Sequence, residues 1–203
     1  MDDGDIVVLG IGNLLWADEG FGVRCVEALA QAWRFGARVQ LVEGGTQGLY
    51  LLQHVQAASR LLIFDAVDYG LAPGTLMLVE DDEVPHYLGA KKMSLHQTGF
   101  QEVLALARLT GRWPRHILLV GCQPAELDDF GGSLTPPVKA ALQPALQAAL
   151  QRLRDWGAEP QPAPGADAAP PALAMDAYES GRPSADAACR IGDERFLPPA
   201  RPH

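Results

Sequence analysis

The chain is built from short apolar runs rich in β-branched residues, each followed by a stretch of helical period. Ile6-Val7-Val8-Leu9 closes at Gly10, and Arg38 to Val42 ends at Gly44-Gly45. Leu61-Leu62-Ile63-Phe64 leads to Asp65, Thr75 to Val79 is entered through the turn Pro73-Gly74, and His116 to Val120 forms a fifth run. Runs of this length without polar alternation are what strands buried on both faces require. Between them, Gly22, Cys25, Val26, Leu29, Ala32 and Trp33 share one helical face, with Arg24, Glu27, Gln31 and Arg34 opposite. Thr46 is placed to cap a short helix bearing Leu49, Leu52 and Val55. Thr98 and Gln101 have capping-box spacing ahead of Val103, Leu104 and Ala107. A last helix runs from Thr135-Pro136 to about Trp156, with a kink expected at Pro144 and a stop at Gly157.

Strands alternating with helices define βαβ units. The expected fold is a single doubly wound α/β domain, a mostly parallel five-stranded sheet with helices on both faces. Its 203 residues suffice for one well-packed core and are too few for two. The domain is expected over residues 1–156. Residues 157–203, rich in Pro and Ala, show no sustained apolar period and are expected to form a disordered tail. Ligands of such sheets sit beyond the carboxyl ends of the strands. There the loops after Gly10, Val42 and Phe64 and the loop before Thr98 should converge.

Charge and cysteine usage narrow the partners. Sixteen basic against twenty-five acidic residues, net -9, exclude a nucleic-acid binder, which needs clustered Lys and Arg. The start MDDGDIVVLG carries acids where a secretory leader carries positive charge, and no apolar stretch is long enough to enter a bilayer. Three scattered cysteines, Cys25, Cys122 and Cys189, without CxxC spacing, fit reduced thiols and a cytoplasmic address.

Three positions can carry chemistry. The loop Gly10 to Gly22 opens like a dinucleotide-binding turn, but Leu15 stands where GxGxxG needs its third glycine. Asp18-Glu19 at the mouth of a helix can bind a ligand or simply satisfy free N–H groups and the helix dipole. Asp65 at a buried strand end can likewise serve a ligand or the local backbone. His96, in Ser94-Leu95-His96-Gln97-Thr98, is a loop histidine, surface residue or ligand. Two carboxylates and an imidazole brought to one sheet edge, Glu19, Asp65 and His96, would suit a first-row divalent metal such as nickel or zinc with coordination positions left open.

The motifs GIGNLLWADEGFGVR (10–24), EGGT (43–46), FDAVDYG (64–70), PGT (73–75), EDDEVP (80–85), KKMSLHQTG (91–99) and GCQP (121–124) resemble, in order and spacing, the NiFe-hydrogenase maturation endopeptidases, nearest to those of uptake hydrogenases. The likeness runs from about Ile6 to Trp156. It implies an endopeptidase, classed with aspartic-type peptidases although no DTG or DSG pair occurs. Its substrate would be the precursor large subunit, whose C-terminal extension is removed after nickel insertion. The resemblance further implies that Glu19, Asp65 and His96 recognise nickel supplied by the substrate, and that Asp65 or Glu19 takes part in catalysis. Gly44 and Gly45 would let an extended peptide approach the backbone. A non-catalytic escort of the large subunit and a nucleotide-binding α/β protein are the competing readings.

Overall fold

The computed structural model describes residues 4–88, 95–163 and 175–181, the side chains of residues 95–98, 176, 177 and 181 excepted. In chain order the elements are β1 (Ile6–Ile11), α1 (Phe21–Ala32), β2 (Trp33–Arg34), β3 (Val39–Gly45), α2 (Leu52–Ala57), β4 (Arg60–Ala66), β5 (Leu76–Glu80), α3 (Val84–Leu88), α4 (Leu95–Leu109), β6 (His116–Cys122), α5 (Pro136–Asp155), β7 (Gln161–Pro162) and α6 (Met175–Gly181). Single 3-10 turns cover Ala17–Gly20, Gly48–Leu51 and Asp81–Glu83. The chain falls into two units, Met1–Ala169 and Pro170–His203. The first holds everything through β7, and the second holds α6.

The five-stranded sheet has the order β3-β1-β4-β6-β5. Four strands run parallel, while the edge strand β5 pairs antiparallel with β6. All residues of β1, and all but the first of β4 and β6, are buried, as expected of strands covered on both faces. On one face Leu9, Ile63 and Leu119 pack with Val55 of α2, Val84 of α3 and Phe100 and Leu104 of α4. The alternate residues, Val8, Leu62 and Leu118, are equally buried and face the α1 and α5 side. The expected doubly wound sheet is therefore present.

α1 approaches the sheet unusually closely. A Cβ on Gly22 would stand 2.2 Å from the Phe64 carbonyl oxygen and 2.3 Å from that of Ile11. One on Gly10 would stand 2.4 Å from the Gly22 oxygen. This reciprocal fit draws the start of α1 onto the carboxyl ends of β1 and β4.

Several local expectations are corrected. α4 begins at Leu95, so Thr98 lies inside the helix and His96 in its first turn, not in a preceding loop. Thr46 caps nothing: the helical stretch starts at Gly48, and Leu49 is left 56% exposed. Arg24 is buried on α1 with its guanidinium 2.8 Å from Glu27, because α5 packs along the α1 side of the sheet as well. α5 carries Pro144 inside it, as expected, and is helical on both sides of it. It ends as expected at Gly157 (φ +81°), whose N–H donates to Arg154 while Ala158 N–H donates to Leu153, a Schellman closure.

Within the segment expected as a tail, β7 pairs antiparallel with β2, and Met175–Gly181 is helical. Residues 164–174 and 182–203 lie outside the described residues. Among the described residues no helix is long and apolar enough to cross a membrane.

Candidate active site

β1 and β4 are neighbours at which the strand order reverses, β3 lying outside β1 and β6 and β5 outside β4, and such a switch point is where an open α/β sheet binds its ligand. Asp65 is the penultimate residue of β4, one beyond the pair Gly10–Phe64, and is wholly buried. It lies within the strand because β6 continues to pair with it through Gly121. Glu19 sits half-buried in the turn after β1. Its carbonyl oxygen would be 1.8 Å from a Cβ on Gly12, whose φ of +129° only glycine adopts readily. Gly12 N–H in turn donates to Gly45 of β3 at 3.1 Å.

The backbone of His96 belongs to the first turn of α4; its side chain lies outside the described residues. Three residues on, a Cβ at Gly99 would stand 3.4 Å from Gly48 Cα, so the start of α4 meets the turn that follows β3. Among the described residues, no three His, Cys, Asp or Glu side chains are grouped to hold a metal ion.

Asp18 and Glu19, adjacent in sequence, have different tasks. The Asp18 carboxylate is fully buried and accepts four hydrogen bonds: from Ala125 N–H (2.8 Å), Glu126 N–H (3.0 Å), Thr135 N–H (2.7 Å) and the Thr135 hydroxyl (2.9 Å). Thr135 thus spends its side chain on Asp18 and makes no side-chain cap on α5. Trp16 and Phe130 add a backbone bridge and an edge-to-face ring contact at 5.3 Å. Since β4 lies between β1 and β6, these bonds carry the loop after β1 past the end of β4 to the loop after β6. Glu19 is presented by a turn whose neighbour nails it down.

Gln123 does the same for the loop after β4. Its buried amide oxygen accepts from Tyr69 N–H (2.7 Å) and Leu71 N–H (3.1 Å), and its amide nitrogen donates to Asp68 (3.0 Å) and the Pro124 carbonyl (3.2 Å). Neither Asp18's partners nor the role of Gln123 was read from sequence. A polar residue directly after an apolar strand, the same signal that singled out Asp65, would have found Gln123. Gln123→Leu should leave the part-buried N–H groups of Tyr69 and Leu71 without their acceptor and cost roughly 1–3 kcal/mol. Chemical denaturation of the two proteins measures it; a loss under ~0.5 kcal/mol would mean the loop holds itself.

Gly44 and Gly45 also part company. A Cβ on Gly44 would meet Leu9 at 2.7 Å and the Gly10 carbonyl at 3.0 Å, so its smallness serves packing against β1. Gly45, at φ +51°, follows a register shift in the β1–β3 pairing, and a Cβ there would make only an ordinary contact with the Gly12 carbonyl oxygen at 3.9 Å. Cys25 and Cys122 are buried and free. Burial raises both thiols, Cys122 to about 12 with Asp18 nearby, so neither is a nucleophile at neutral pH.

The structure thus gives a doubly wound α/β protein with Glu19 and Asp65 at adjoining strand ends and with Cys25 and Cys122 buried in its core. Comparison with known proteins makes the class specific. A family profile described as hydrogenase maturation protease matches residues 23–152. The chain is 62% identical over 198 residues to hydrogenase expression/formation protein HoxM of Cupriavidus necator, covering 95% of this chain and 98% of that one. It is 44% identical over 158 residues to the hydrogenase 2 maturation protease of Escherichia coli, covering 77% and 95%. Among solved structures, the hydrogenase maturating endopeptidase HybD from E. coli superposes with a TM-score of 0.74 at 42% identity, over 78% of this chain and 97% of that one. The chain belongs to the hydrogenase maturation protease family and is an endopeptidase. The match to HoxM is long enough to include residues beyond Trp156, where the motif resemblance ended.

Proposed function

We propose that this endopeptidase removes the C-terminal extension of the precursor large subunit of a NiFe hydrogenase after nickel insertion, reading the nickel as part of its substrate. The observation that carries the reading is the position of Glu19 and Asp65 at adjoining strand ends, one half-buried and one fully buried. Glu19, Asp65 and His96 are the proposed ligands of the substrate's nickel. Two carboxylates and one imidazole leave a first-row divalent ion short of a full shell. A precursor that brings nickel already held by its own thiolates would supply the rest.

Docking in that way places the scissile segment against the carboxylates and converts recognition into orientation. The bond is then cut by water. The water can be activated by Asp65 or Glu19 as general base, or by nickel polarising the carbonyl or carrying the water. The loop following β3, at Gly44 and Gly45, is the proposed path for the extended peptide. The proposed compartment is the cytoplasm, in keeping with buried free thiols at Cys25 and Cys122.

The test is mass spectrometry of the precursor's C-terminal end after incubation of nickel-loaded precursor with this protein. Loss of a defined C-terminal peptide is expected. Stable binding with the extension intact would instead make this chain an escort.

A further inference from the structure

Tyr69 holds a polar atom for which the fold provides no use. Its hydroxyl is buried and has no hydrogen-bond partner among the described residues. Leaving a buried hydroxyl unsatisfied costs roughly 1–3 kcal/mol, so such groups are uncommon unless something else calls for them. The hydroxyl is also held in place from three sides. The Gln123 amide oxygen fixes the Tyr69 backbone at 2.7 Å, and the Tyr87 ring packs edge-on at 5.9 Å. The third constraint is Gly121, where an added Cβ would fall 2.0 Å from the Tyr69 oxygen. The tyrosine tip thus occupies the side-chain slot that Gly121 leaves empty.

Gly121 is the register partner of Asp65. Val67, two residues past Asp65, and Leu119, two residues before Gly121, pack in the same apolar cluster, so both slots open on one face of the sheet. The Tyr69 hydroxyl therefore stands beside the Asp65 side chain, one strand over. A tyrosine hydroxyl keeps its proton at neutral pH, so it is available there as a hydrogen-bond donor.

We propose that Tyr69 is a further substrate-contacting residue, its hydroxyl donating a hydrogen bond to the carbonyl oxygen of the scissile peptide bond docked against Asp65. This rests on the peptidase reading given above. In the reaction the water oxygen bonds to the carbonyl carbon and the carbon–nitrogen bond breaks. The products are a carboxylate and an amine, which takes up the displaced protons. Tyr69 keeps its own proton throughout; its hydrogen bond shortens as the carbonyl oxygen gains negative charge and relaxes as the product acid forms. Donors that strengthen only as charge develops act on kcat more than on KM.

The test compares full-length wild-type protein with Tyr69→Phe on nickel-loaded precursor, with melting curves for both. Wild type must trim the precursor; if it does not, the peptidase reading has failed and not this inference alone. Given wild-type trimming, Tyr69→Phe should lower kcat about 10- to 100-fold with KM within about threefold. Its melting temperature should be unchanged or higher, because an unsatisfied hydroxyl has been removed. Wild-type kcat in Tyr69→Phe overturns the inference. So does a loss of activity that comes with a clearly lowered melting temperature, since the hydroxyl would then be part of the fold.

Discussion

Asp65→Asn is expected to leave the domain folded and to lower precursor trimming by about a hundredfold or more. The substitution preserves shape and removes a charge from a site with no solvent exposure. The reaction gives up a great deal, because an amide neither takes a proton from water nor attracts a cation as a carboxylate does. Kinetics on nickel-loaded precursor and a thermal melt, run side by side, make the separation visible. If Asp65→Asn unfolds the protein, Asp65 is a structural acid and the site must be sought elsewhere.

Asp18→Ala should do the reverse. Four hydrogen bonds converge on that carboxylate from residues 107 to 117 positions away along the chain. Removing it leaves three part-buried backbone N–H groups without their shared acceptor at once, a loss of about 3–5 kcal/mol, which is a large part of a typical domain's stability. Asp18→Asn should also destabilise, since an amide nitrogen would face N–H donors that need an acceptor. Urea denaturation of the three proteins measures this. A cost under ~1 kcal/mol for Asp18→Ala would show that the loops after β1 and β6 hold together without it. The two acids thus respond oppositely to the same Asp→Asn exchange, one in rate and the other in stability.

That contrast marks how far the sequence could be read. β1, β4 and β6 were legible because strands buried on both faces must be continuously apolar. Their ends were not, since Gly10, Asp65 and Gly121 are kept in the sheet by neighbouring strands and not by hydrophobicity. The antiparallel direction of β5 has no local signature, because it is decided by pairing with β6 across two helices, α3 and α4. Thr98 and Gln101 have capping-box spacing, yet α4 starts three residues earlier. Local spacing proposes a cap, and the surrounding packing decides where the helix begins.

At the site, motif order pointed to Glu19, Asp65 and His96, and it stopped short of Asp18. Sequence offered two readings for each member of the Asp18-Glu19 pair. Only contacts with Ala125, Glu126 and Thr135 assign the structural one to Asp18. Tyr69 lies within the FDAVDYG motif, but nothing in the sequence marked it for a role of its own. Its interest comes from a glycine 52 positions away that makes room for it, visible only once β4 and β6 are in register.

The claim that nickel is read on the substrate is tested most directly by adding metal-stripped protein to nickel-loaded and nickel-free precursor in parallel. Three ligands make a weak site for a free ion, so the stripped protein should need no metal of its own. The account predicts efficient trimming of the nickel-loaded precursor and little or none of the nickel-free one. Equal trimming of both would contradict it and make this a carboxylate peptidase indifferent to metal.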